Sequence, residues 1–207
     1  MIVAVDGPTA SGKGTVARAV AARFGLPHLD TGLLYRAVGY QVAQGGGDPD
    51  DPADAATAGA FPDSLLADPV LRSEHVGGLA SRVSVHPAVR AALLARQQAF
   101  AAQPGGAVLD GRDIGTVIAP HAEVKLFVTA SVEARAKRRF GEMLKRGVHA
   151  TEAEIAADLA ARDARDRGRA DAPLRAASDA LVLDNSTMTK QESIAAAIRL
   201  VEERLRG

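Results

Sequence analysis

Nine consecutive residues, Gly7-Pro8-Thr9-Ala10-Ser11-Gly12-Lys13-Gly14-Thr15, join glycines, small hydroxyl side chains and one lysine. They stand between a short apolar run and an amphipathic stretch. A glycine-rich turn in that setting lets successive backbone N–H groups point inward around a polyphosphate, and the helix that follows adds partial positive charge. Lys13 then reaches the β- and γ-phosphates. Gly14 stands where a Ser or Thr usually follows the lysine, and Thr15 comes one residue later, which leaves direct Mg²⁺ ligation by a loop hydroxyl open. The rival reading is a plain strand–helix turn with an exposed lysine; the complete strand, turn and helix context favours phosphate. Asp110 ends an apolar run, the usual place for a carboxylate that holds Mg²⁺ through water. It also suits a turn before Gly111.

Phosphoryl transfer needs a second anion brought in line with the first, and arginine's planar fork suits a phosphate. Four segments carry such groups. In Asp30-Thr31-Gly32-Leu33-Leu34-Tyr35-Arg36, Thr31 opens a helix and Arg36 follows a turn later; taken alone they are also an N-cap and a surface arginine. Ser81 and Arg90 flank His86-Pro87 and are unremarkable by themselves. Asp110-Gly111-Arg112-Asp113 sits at a strand end, where charged residues packed on a glycine make poor core material. Arg162, Asp166 and Arg169 fall four and three apart, so one helix face carries all three. A solvated helix surface with weak ion pairs explains that run as well.

The elements that must position these residues follow from hydrophobic periodicity. Short apolar runs alternate with longer amphipathic stretches, as in a parallel sheet crossed by helices. Strands are predicted at Ile2–Val5, Pro27–Leu29, Ala107–Leu109, Val124–Val128 and Leu181–Leu183. Each ends near a carboxylate or small polar residue, and the ligand crevice of such sheets lies beyond those ends. Helices are predicted at Lys13–Phe24, Leu33–Gln44, Pro87–Ala102, Val132–Lys145, Glu152–Arg167 and Lys190–Arg206. Thr151 with Glu154 and Thr189 with Glu192 have capping-box spacing. Gly45-Gly46-Gly47, Pro49, Pro52, Pro62, Pro69 and Gly77-Gly78 predict an excursion of low regularity over Gly45–His86. A helical pair over Val132–Asp179 is expected to close over the site.

Lysine and arginine total 25, as do aspartate and glutamate, so the chain is formally neutral. That balance argues against nucleic acid or an anionic membrane as the main partner. Cysteine is absent, which excludes disulfide and thiolate chemistry and suits a cytoplasmic setting. Met1-Ile2-Val3-Ala4-Val5 meets Asp6 too soon for a signal peptide, and no apolar run nears membrane-spanning length. The length fits a single domain.

With these residues collected, the chain resembles the bacterial cytidylate kinases of the P-loop nucleoside monophosphate kinase family. The resemblance rests on GPTASGKGT at 7–15, DTGLLYR at 30–36, DGRDIGTVIAP at 110–120, SVEARAKRR at 131–139, RDARDRGRADAPL at 162–174 and DALVLDNS at 179–186. It implies an α/β, three-layer P-loop kinase fold with a five-stranded parallel sheet, a helical lid and a short monophosphate-binding insert. The expected division is a core of 1–44, 87–131 and 180–207, an insert of 45–86 and a lid of 132–179. It implies ATP as phosphate donor with Mg²⁺, CMP or dCMP as acceptor, and a monomer. Lys13, Arg36, Arg112 and Arg169 would act on the transferring and acceptor phosphates, with Thr31 beside them. Ser81, Arg90 and Asp113 would read the cytosine edge, and Arg162 and Asp166 would meet the ribose hydroxyls. Arg135 and Arg139, one helical turn apart, are the residues expected to reach ATP. The 45 residues from Arg36 to Ser81 are fewer than in longer family members, so the insert is expected to keep its helices and lack extra strands. Kinases of the same fold that use UMP, AMP or shikimate are the nearest rivals. A GTPase-like switch would carry an Asn-Lys-x-Asp motif, and Thr189-Lys190-Gln191 lacks both ends of it.

Overall fold

The computed structural model describes residues 1–145, 147–148 and 150–206. The five apolar runs form strands β1 (Ile2–Asp6), β2 (His28–Asp30), β3 (Ala107–Gly111), β4 (Val124–Thr129) and β5 (Leu181–Asp184). They make one parallel sheet in the order β2-β3-β1-β4-β5. The central strands are covered on both faces, so they read as nearly unbroken apolar runs rather than as alternation. At their carboxyl ends the strands run one or two residues beyond the sequence expectation, and β2 begins one residue later than expected, at His28. The parallel ladder carries Asp6 opposite Gly111 and Asp30 opposite Asp110. Those end residues are therefore fixed by backbone pairing, and their side chains emerge at the carboxyl edge.

Eight helices were assigned among the described residues: α1 (Lys13–Phe24), α2 (Thr31–Gln44), α3 (Pro52–Thr57), α4 (Glu74–Val83), α5 (Pro87–Ala101), α6 (Val132–Lys145), α7 (Glu152–Gly168) and α8 (Lys190–Arg206). On one face of the sheet, Val3, Val5, Val124, Leu126 and Val128 pack with Val16 and Val20 of α1 and Ala197 and Val201 of α8. On the other, Ala4 and Leu109 meet Ala101 of α5 and the turn Ile114–Ile118. Leu34, Val38 and Val42 of α2 join Val83, Val89 and Leu93 in a third cluster. The Thr151–Glu154 capping box forms as its spacing requires, and Pro87 sits in the first turn of α5.

The low regularity expected over Gly45–His86 is corrected at α4. The Ser73 hydroxyl accepts from the Val76 N–H, Glu74 occupies the positive first turn, and Val76, Leu79 and Val83 are buried. Those features outweigh the cost of Gly77-Gly78 in a helix. The glycine also has a packing reason, because a Cβ at Gly77 would lie 2.8 Å from an Arg36 guanidinium nitrogen. No strand occurs among residues 45–86, and two short 3₁₀ turns, Asp63–Ala67 and Pro69–Arg72, complete that stretch. Among the described residues no helix is long and apolar enough to cross a membrane.

Candidate active site

The loop after β1 is built for close backbone approach. Gly12 sits at the N-cap of α1 with φ 85°, a conformation that costs a Cβ-bearing residue energy. The loop is tied down from outside: the Asn185 amide donates to the Ser11 carbonyl at 2.9 Å and to the Ser193 hydroxyl at 3.0 Å. Arg135 donates to the Thr9 carbonyl at 3.0 Å. Among the described residues, Lys13 has only the Pro8 carbonyl, at 3.3 Å, as a hydrogen-bond acceptor. Its burial, and then the charge of Arg112, lowers the ammonium to about 8, with Asp110 and Asp30 opposing. A lysine depressed this far is one that an anionic ligand would stabilise.

Two carboxylates stand beside it. Asp30 and Asp110 are register partners at the ends of β2 and β3. Burial, then the neighbouring charge of Asp110, raises the Asp30 carboxyl above the usual range. Asp110 Oδ1 lies 2.7 Å from His28 Nε2, and Oδ2 lies 3.4 Å from where a Cβ at Gly14 would be. Gly14 therefore leaves the carboxylate uncovered where a Ser or Thr would crowd it. This oxygen-rich, charge-repelling pair fits Mg²⁺, which binds through one or two carboxylates together with phosphates and water. Among the described residues no group of three or more ligating side chains forms a self-sufficient metal site.

A cavity of about 520 Å³ opens on one side of the loop, lined by Gly12, Thr15, Arg138, Arg139, Asn185 and Lys190 among others. Arg139 of α6 lines this cavity. Arg135 is not brought to this cavity: it is 2% exposed and its guanidinium is paired with Asp163 at 2.6 and 3.1 Å. Arg138 lines the cavity instead, donating to Asn185 Oδ1 at 2.9 Å. Arg138 and Asn185 escaped the sequence reading. Asn185 follows β5 directly, and the rule that chemistry sits just past strand ends points to it.

A second cavity, about 100 Å³, lies on the other side. Thr31, Arg36, Ser81, Arg90, Arg112, Asp113, Arg162, Asp166 and Arg169 all line it, so nine residues from four sequence segments meet in one place. Arg112 spans the gap to the loop: Nε donates to Asp166 at 2.8 Å and Nη2 to the Thr9 hydroxyl at 2.7 Å. Arg36 donates to the Leu71 and Ser73 carbonyls at 2.6 and 2.9 Å. Arg162 donates to the Gly77 carbonyl, and Arg139 pairs with Glu74. Thr31 is buried and donates to the Asp110 carbonyl at 2.8 Å. Arg90 pairs with Asp113, with both side chains 6% exposed.

The electrostatics of this cavity lean towards unmet positive charge. Burial lowers Arg36, Arg162 and Arg169 below the usual range, with other arginines adding to it in each case. Burial is the largest influence on Arg112 and Asp166 and opposes both charges, but their mutual attraction and hydrogen bond, with Asp110 and Asp163 near the one and Arg169 and Lys13 near the other, together outweigh it and favour the ionised pair. Asp113 is raised by burial despite the opposing charges of Arg90 and Arg169. One guanidinium nitrogen of Arg169, 3.8 Å from an Asp166 carboxylate oxygen, is buried without a hydrogen-bond partner among the described residues. The chemistry of such a cluster suits a compact dianion.

Comparison with known proteins gives a consistent result. Residues 3–203 match the protein family described as cytidylate kinase. A cytidylate kinase of Caulobacter vibrioides is 55% identical over 203 residues, covering 98% of this chain and 95% of that protein. A cytidylate kinase of Xanthobacter autotrophicus is 53% identical over 207 residues, the full length of both. The crystal structure of an uncharacterized protein from Eubacterium ventriosum matches with a TM-score of 0.55 at 14% identity, covering 98% of each chain, which speaks to the fold alone.

Proposed function

Because the chain belongs to the cytidylate kinase family, we propose that it moves the γ-phosphate of ATP to CMP or dCMP, giving ADP and CDP or dCDP. The observation that carries this reading is that two cavities open on one loop, the larger at Ala10, Gly12 and Thr15 and the smaller at Thr9, where Arg112 donates to the Thr9 hydroxyl. ATP lies in the larger cavity, its base side towards Asn185 and Lys190 and its phosphates over Gly7–Thr15. The acceptor lies in the smaller one. Arg36, Arg112 and Arg169 hold its phosphate, Ser81, Arg90 and Asp113 read the base, and Arg162 and Asp166 meet the sugar. Arg138 and Arg139 attend the donor phosphates from α6, and Arg135 serves as a buried tie between α6, α7 and the loop. The division into a core (1–44, 87–131, 180–207), an acceptor insert (45–86) and a lid (132–179) follows from these roles.

The acceptor's phosphate oxygen attacks the γ-phosphorus in line, without a phosphoenzyme. No general base is required, since a nucleotide phosphate is already ionised at neutral pH. Lys13 and the three arginines spread the charge of the transferring group, and their work is greatest in the transition state. Asp110, with Asp30 beside it, would hold Mg²⁺ through water; that ion supplies charge neutralisation on the donor phosphates. Residues of α6 and α7 exclude water, which would compete as nucleophile. Nothing in the transfer needs a second copy of the chain.

The test is product formation from ATP with a panel of monophosphates. CMP and dCMP are expected to give the highest kcat/KM, ahead of UMP and AMP. A preference for AMP or UMP, or ATP loss without acceptor phosphorylation, contradicts the reading.

A further inference from the structure

The turn that follows Asp113 begins without a cap of its own. Residues Ile114–Ile118 form one wide π-helical turn, and Asp113 occupies its N-cap position with φ −145° and ψ 22°. An aspartate there ordinarily swings its carboxylate back onto the first free N–H groups. Asp113 makes no such bond; its carboxylate is turned to Arg90 at the acceptor cavity. The Ile114 and Gly115 N–H groups are taken by another residue. They donate to Asp6 Oδ1 and Oδ2, at 2.8 Å each. Asp6 is 5% exposed, and β1 places it in register with Gly111, two residues before Asp113.

We propose that Asp6 is a positioning residue for acceptor recognition: by occupying the Gly115 N–H, which an N-cap side chain could otherwise take, together with that of Ile114, it keeps the Asp113 carboxylate turned to Arg90 at the acceptor cavity. This rests on the cytidine reading above and assigns a role to a residue outside the acceptor cavity. If Asp6 loses an acceptor oxygen, a buried N–H is left unpaired, and the carboxylate already sitting at the cap position is the group placed to satisfy it. Asp113 then leaves Arg90, and the contrast between the cytosine amine and the uracil carbonyl is lost with it.

The experiment is a double-mutant cycle on Asp6→Asn and Asp113→Asn, read as the ratio of kcat/KM for CMP to that for UMP at saturating ATP. Asp6→Ser, which keeps one oxygen acceptor, is carried in parallel, and thermal unfolding is measured for every variant. Asp6→Asn is expected to narrow the ratio by roughly fivefold or more. The double variant should lose no more discrimination than Asp113→Asn alone, because both act through one carboxylate. Losses in kcat shared by both acceptors are set aside, since Asp6 adjoins the phosphate loop. An unchanged ratio in both Asp6 variants, or losses that add in the double variant, overturns the role of Asp6 while leaving the cytidine reading intact. A wild-type protein with no preference for CMP overturns both.

Discussion

The Lys13 ammonium is lowered to about 8 by burial and by Arg112, so the protein without nucleotide bears a cost for keeping it charged. The sign is set by proton uptake. Between about 8 and the ordinary lysine value of 10.5, the unfolded chain binds more protons at this site than the folded one, so its contribution to stability rises with pH. Below about 8 the penalty is constant. Lys13→Met should therefore raise the unfolding free energy of the nucleotide-free protein at pH 7, and its advantage over wild type should shrink between pH 8 and 10.5. The same change should lower kcat by ~10²–10³, since it removes a charge aimed at the transferring phosphate. Urea unfolding across that pH range, with kinetics at pH 7, checks both. A variant that is less stable than wild type at pH 7 contradicts the picture of a lysine held in waiting for an anion. Lys13 itself was legible from the strand–turn–helix context alone. The diversion of Arg135 into a buried pair with Asp163 was not, because a helix places Arg135, Arg138 and Arg139 within one turn and sequence does not say which of them line the larger cavity.

Among the elements, α4 ties the smaller cavity to α6 and α7. It meets α6 through Glu74 and Arg139, and α7 through the Gly77 carbonyl with Arg162 and the Ser81 hydroxyl with Arg165. The cavity that Gly77 and Ser81 of α4 line holds about 100 Å³, well under the roughly 300 Å³ at which small-molecule pockets begin. An acceptor of nucleotide size is therefore expected to loosen the contacts of α4 with α6 and α7. Glu74 and Arg139 are partly exposed, so their pair is worth at most about 1 kcal/mol. Glu74→Gln should accordingly tighten binding of CMP to the nucleotide-free protein, by up to about fivefold, as read by calorimetry. Weaker binding would mean that the contact builds the cavity rather than closing it. Sequence reasoning passed over α4 because Gly77-Gly78 reads as a break. The capping by Ser73 was visible in the chain, but the close approach of Arg36 that explains Gly77 exists only once α2 and α4 are packed.

For the whole molecule, the five strands and the carboxylates at their ends could be read from apolar runs and their stops. The order β2-β3-β1-β4-β5 could not, since any of several parallel arrangements accommodates the same runs. That order puts β1 between β3 and β4, so the loop leaving β1 stands centrally at the carboxyl edge, with Asp110 and Arg112 on one flank and Thr129 on the other. The convergence of nine acceptor-side residues from four segments is a consequence of this topology together with α4 and α7 packing over it. The central claim is that donor and acceptor cavities adjoin across Lys13 and Arg112, so that the phosphate passes directly between them. An adenosine–cytidine dinucleoside polyphosphate, long enough to place one base in each cavity, tests that claim most directly through its inhibition pattern. The account predicts inhibition competitive against both ATP and CMP, with affinity above that of either nucleotide alone. Competition against ATP only, with affinity no better than ATP's, would contradict it.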